Sequence, residues 1–92
     1  MDIQKLQALA VIQEAGSFSR AAETLGYSQA GLTYMMNSLE KEIGLRLLDR
    51  SYSGVRLSET GKTLMPKIHR LLQVYDALNG EINACKCAQQ AT

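Results

Sequence analysis

Apolar residues near the start of the chain fall at Ile3, Leu6, Leu9 and Ala10, with Val11 and Ile12 beside them, which is the spacing of one helical face; Gly16 follows as a stop. After it, either Ser17 or Ser19 can cap a second, short helix in which Phe18, Ala21, Ala22 and Leu25 repeat as a narrow apolar stripe. Gly26 ends that helix and Tyr27 crosses a tight turn. Ser28 can cap a third helix with the stripe Leu32, Met36, Leu39 and Ile43, stopped by Gly44. Two helices joined by a short turn containing glycine fit the helix-turn-helix pattern.

The texture changes between Leu45 and Ser58. Leu47 and Leu48 precede polar Ser51, Tyr52, Ser53 and Gly54, and Val55, Arg56 and Leu57 follow, which predicts a small two-stranded wing. Ser58 and Glu59 then open a long helix in which Leu64, Ile68, Leu71, Tyr75, Leu78, Ile82 and Cys85 alternate by four and three residues, a heptad seam. Met65 and Leu72 widen the seam in its first half, which is expected to pack on the domain body. The second half needs another surface, because helices draw most of their stability from packing. Homodimerisation through Leu64, Ile68, Leu71, Tyr75, Leu78 and Ile82 is the simplest source of one. Pro66 removes a helical hydrogen bond and Gly80 costs about 1 kcal/mol relative to alanine, so both disfavour a straight rod. The expected fold is mainly α: a winged helix-turn-helix, with a three-helix core and a β-hairpin wing, over residues 1–57. A linker and dimerisation helix over 58–88 and a polar tail over 89–92 complete the expected organisation.

Length and composition narrow the function. The 92 residues hold one small domain with at most one appended helix, and 46% apolar with 21% charged residues describes a folded, soluble chain. A net charge of +1 excludes a polycation that binds any polyanion through bulk charge. The charge is unevenly placed: residues 28–70 carry Lys41, Arg46, Arg50, Arg56, Lys62, Lys67 and Arg70 against Glu40, Glu42, Asp49 and Glu59, a local balance of +3. That is the footprint of phosphate contacts beside a helix-turn-helix. Asp49 and Glu59 read as partners of nearby arginines or, for Glu59, as a first-turn helix charge.

Cys85 and Cys87 are too close for a useful bridge and too few for a zinc site, so both are expected as reduced thiols. His69 has no serine, cysteine or metal-ligand partner at a catalytic spacing, and there is no phosphate-binding glycine loop. No catalytic residue, metal or cofactor is expected, and the chain does not read as an enzyme. No apolar run approaches a membrane span and the start is not a signal peptide, which makes the cytoplasm the expected location.

Opposite its apolar stripe the third helix carries Ala30, Thr33, Tyr34 and Asn37, with Lys41 a turn further on and Gln29 at its leading end. Gln and Asn can present a donor and an acceptor together to an adenine edge, Thr can bond a base or phosphate, and an Ala or Thr methyl can touch a thymine methyl. Taken alone, such a stripe is also what any solvated helix face looks like. The hydroxyls of Ser17, Ser28 and Thr33 lie at or near helix N-termini, where capping and phosphate binding are compatible roles.

The ordered series Gly16-Ser17-Phe18-Ser19-Arg20-Ala21-Ala22-Glu23-Thr24-Leu25, Ser28-Gln29, Leu39-Glu40-Lys41-Glu42-Ile43-Gly44, Leu47-Leu48-Asp49-Arg50 and Leu57-Ser58-Glu59-Thr60-Gly61 resembles the N-terminal domain of LysR-type transcriptional regulators over roughly residues 1–85. The resemblance implies a sequence-specific binder of double-stranded DNA, with the helix at about 28–43 in the major groove and a fourth helix that pairs with a second subunit, usually antiparallel. It makes Gln29 the foremost base reader, with Ala30, Thr33 and Tyr34 its neighbours in the groove, and gives Ser17, Ser28 and Arg50 contacts to the DNA backbone. Two departures stand out. The family commonly places proline then alanine after the Ser-Gln pair, where this chain has Ala30-Gly31; and it often has a wing arginine for the minor groove at Ser53, a role that here either passes to Arg56 or Arg50 or is absent. The family also continues into an effector domain, so a small-molecule partner is expected only if such a domain follows. One reading competes: a winged-helix module for protein contact or dimerisation, favoured by the nearly neutral charge. Salt separates them, since phosphate binding weakens steeply with ionic strength and an apolar interface does not.

Overall fold

The structure is a computed structural model and describes residues 1–51 and 54–90. Helix α1 spans Ile3–Ala15, α2 Phe18–Leu25 and α3 Gln29–Ile43; strands β1 (Leu48–Ser51) and β2 (Gly54–Leu57) follow, then α4 (Glu59–Gln90). This is the expected winged helix-turn-helix with an appended long helix. The wing strands are shorter than the whole 45–58 segment, and α4 runs two residues beyond position 88.

Each of the first three helices starts on a side-chain cap. Asp2 accepts from the backbone N–H of Lys5 at 2.9 Å, Ser17 from Arg20 at 3.3 Å and Ser28 from Gly31 at 3.0 Å. The choice between Ser17 and Ser19 therefore falls to Ser17. Gly16, Gly26 and Gly44 close the three helices, as the sequence predicts. At Gly16 the glycine also meets the wing: its carbonyl accepts from the N–H of Val55 at 3.2 Å. A Cβ on the facing Gly54, which has φ +131°, would lie 2.6 Å from that oxygen, so only glycine permits this approach.

The stripes of the three helices meet in one core, in which Leu9, Ile12, Leu32, Met36, Leu39 and Leu47 are the largest fully enclosed side chains. Burying each is worth about 1.5–3 kcal/mol. The same core takes in Leu48, Val55 and Leu57 from the hairpin and Met65 and Ile68 from α4. In the hairpin Leu48 faces Leu57, Asp49 faces Arg56 and Ser51 faces Gly54 in an antiparallel pair.

Two polar anchors hold the segment between α3 and α4. Glu40 Oε2 accepts from the N–H groups of Leu47 at 2.6 Å and Leu48 at 3.2 Å. Buried Ser58 accepts from the N–H of Gly61 at 3.0 Å, which caps α4, and donates its hydroxyl to the carbonyl of Arg46 at 2.6 Å. A Cβ on Gly61 would run into the carbonyl oxygen of Leu47, so α4 leaves the body at a point where its backbone lies against the wing's lead-in. Helix α4 continues through Pro66, and beyond Leu72 most of it stands clear of the body. The molecule is elongated accordingly, with extents of 57 × 26 × 20 Å.

Candidate nucleic-acid interface

Helix α3 lies across the body with Leu32, Met36 and Leu39 inward, which turns the opposite face to solvent. Gln29, Ala30, Tyr34, Asn37 and Lys41 are exposed and Thr33 is half-buried. Tyr34 is 75% exposed. Spacings of three and four residues bring these positions into one stripe. The stripe presents amide, hydroxyl and methyl groups and only one cation, Lys41, at its far end.

Ser28 stands exposed in the turn before α3, and Ser17 is half-buried at the start of α2. Each uses its oxygen as a cap acceptor, which leaves the hydroxyl proton free to donate to a phosphate. Arg50 on β1 is exposed and reaches back to both helices. Its guanidinium lies over the Phe18 ring, 4.8 Å from the centroid, and donates to Asn37 Oδ1 at 2.9 Å. Arg56 is exposed on β2 opposite Asp49, and Ser53 lies outside the described residues. Glu59 is the first-turn charge of α4, the second of its two expected roles, and pairs there with Lys62 at 3.5 Å.

The dimerisation set divides in two. Ile68 is buried in the subunit's own core, and Leu64 and Tyr75 are half-buried. Leu71, Leu78 and Ile82 are exposed, and Val74, absent from the expected seam, is exposed between them. Beside them an apolar groove of about 330 Å³ opens between α1, the end of α3 and α4, lined by Met1, Leu6, Ile43, Leu64, Lys67, Ile68 and Leu71.

Three interactions escaped the sequence reading. Glu40 lies four residues after buried Met36, so a carboxylate on the apolar side of α3 was the available signal for a buried anchor. The ion pairs of Glu42 with Lys5 and with the N-terminal amine tie α3 to α1, and Lys5 also donates to Ser38 at 3.0 Å. Hydrogen bonds from Lys5 and the amine pull the Glu42 carboxyl down to about 2, and the same bond raises Lys5. The bond from Arg50 to Asn37 likewise has no sequence signature, since it joins a helix to a strand. Among the described residues no group of three or more His, Cys, Asp or Glu side chains could hold a metal ion, and no helix is long and apolar enough to cross a membrane.

A helix-turn-helix with an exposed hydrogen-bonding second helix and a wing defines the class: a winged helix-turn-helix DNA-binding domain. Residues 3–62 match the model of the bacterial regulatory helix-turn-helix proteins of the lysR family. The chain belongs to that family, which is one of transcriptional regulators and not of enzymes. It is 36% identical over 83 residues to an uncharacterised regulator of Azotobacter vinelandii encoded between ibpB and leuC, covering 90% of this chain and 58% of that protein. It is 37% identical over 89 residues to the probable regulator LrrA of Synechococcus elongatus, covering 97% of this chain and 30% of that one. The chain thus spans about a third to just over half of these relatives' length. Among solved structures, the CbnR DNA-binding domain in complex with DNA superposes with a TM-score of 0.83 at 29% identity, covering 92% of this chain and 98% of that one. The BenM DNA-binding domain on its benA site gives 0.83 at 26% identity, covering 90% and 96%.

Proposed function

We propose that this chain binds operator DNA as a homodimer, each subunit seating α3 in a major groove. The observation that carries the reading is the exposed α3 face, whose amide and hydroxyl groups stand in solvent on a helix fixed by a full core beneath it. Solved relatives of matching length, CbnR and BenM, are held on DNA, which supports the same use here. Gln29 reads a base edge with Ala30, Thr33 and Tyr34 beside it; Ser17, Ser28 and Arg50 meet the backbone; Arg56 meets DNA from the wing. Residues 1–57 form the DNA-binding unit and 58–88 the pairing helix, which continues to Gln90. A DNA-binding role fits a cytoplasmic location.

The dimer rests on α4. Leu71, Val74, Leu78 and Ile82 expose an apolar strip that runs into the groove beside Leu6 and Ile43, and a second copy of α4 covers both. Two recognition helices then address half-sites about one helical turn apart, near 34–36 Å.

Gln29→Ala tests the reading of bases. Discrimination between a selected duplex and random DNA is expected to fall by about 1–3 kcal/mol, while binding to random DNA stays nearly intact. An equal loss on both duplexes would remove Gln29 from that role.

A further inference from the structure

Asn37 sits on the exposed face of α3, where an amide is suited to an adenine, yet its oxygen accepts from Arg50 Nη2 at 2.9 Å. The Phe18 ring covers one face of the same guanidinium at 4.8 Å, so Arg50 is fixed from two sides by α2 and α3. An arginine free in solvent explores many rotamers, and ordering it on binding costs free energy that this arrangement has already spent. A polar hollow of about 240 Å³ adjoins the pair, lined by Asn37, Glu40, Arg46, Leu48 and Arg50. Glu40 Oε2 is turned to the N–H groups of Leu47 and Leu48, and against its single negative charge the hollow's lining carries two guanidinium groups, Arg46 and Arg50, a net positive balance. One donor of Arg50 goes to Asn37, and guanidinium carries five in a planar fork suited to phosphate oxygens.

From this geometry, and resting on the DNA-binding reading above, we infer that Asn37 is a positioning residue and not a base reader: it holds Arg50 for a backbone phosphate seated in the hollow beside Arg46. Sequence discrimination by α3 then falls to Gln29, Ala30, Thr33 and Tyr34, and Asn37 contributes equally on every sequence.

The test titrates the 92-residue protein, Asn37→Ala, Arg50→Ala and the double variant against a labelled duplex of random sequence and a duplex selected by the wild type, over a range of salt. All substituted side chains are exposed, so folding is expected to persist. Asn37→Ala should weaken both duplexes alike, by about 3-fold to 10-fold per subunit, the scale of one hydrogen bond in each. Its salt dependence should shallow toward that of Arg50→Ala, which loses a slope of about one per subunit. The double variant should bind no worse than Arg50→Ala. Loss confined to the selected duplex with an unchanged slope would make Asn37 a base reader; multiplying losses, or none, would dissolve the pairing. If those results come from a wild type that binds both duplexes, only this inference falls. A folded wild type that binds no duplex would overturn the DNA-binding reading and this inference with it.

Discussion

In the first half of α4, Met65 and Ile68 are buried against the three-helix body; in the second, Leu78 and Ile82 keep 52% and 42% of their surface in solvent. The seven-residue repeat runs through both halves without a break. The difference lies in what stands opposite: Ser58 and Gly61 press the start of α4 against Leu47 and Arg46, and the body ends before the helix does. A heptad repeat thus fixes which side of a helix is apolar and leaves open whether the covering surface belongs to the same chain.

The largest effect is expected where that covering surface is a second copy. Leu78→Glu removes two seam leucines from a symmetric dimer and inserts two charges, costing about 3–6 kcal/mol, roughly a 100-fold or greater shift toward monomer. Sedimentation reads it, and a variant that stays dimeric at the wild-type concentration shows that the subunits meet elsewhere. Ile68→Ala acts within the subunit and should cost about 2–5 kcal/mol in denaturant unfolding. If it left stability unchanged while dissolving a dimer, the assignment of the two halves would be reversed.

Ser58→Ala probes the joint between the regions. Loss of the α4 cap is expected to cost about 1 kcal/mol, with more lost from the unpaired Arg46 carbonyl, and amide exchange should quicken first in the opening turn of α4. Uniform quickening along the chain would mean that the cap does not hold this joint in particular. The smallest effect belongs to Glu42, on the α1 and α3 side. Its carboxyl titrates at about 2 in the folded protein against an ordinary 4.5, because Lys5 and the N-terminal amine donate to it. A depressed acid stabilises the fold above its unfolded value, and that contribution fades as pH falls from about 4.5 through about 2. Glu42→Gln should therefore lower the melting temperature slightly at neutral pH and flatten its acid dependence in that window. An unchanged acid limb would show that the pair is not formed in solution.

What the chain makes legible follows from range. The three helices, their caps at Ser17 and Ser28 and their glycine stops are local signals, and the structure keeps them. The strands of the wing are four residues each, too short for periodicity to set their ends. The α3 face could be read from a wheel, because the stripe of Leu32, Met36 and Leu39 dictates its opposite. The engagement of Asn37 by Arg50 could not, since thirteen residues and a turn of chain direction separate them. The same holds for Glu40 with Leu47 and for Glu42 with Lys5: single polar residues whose partners are chosen by packing.

The most direct test is a selection of bound duplexes from a random pool, with the oligomeric state of the same sample recorded. The expected result is a dimer that enriches an inverted repeat with half-sites about one helical turn apart. A folded dimer that enriches no sequence would contradict it.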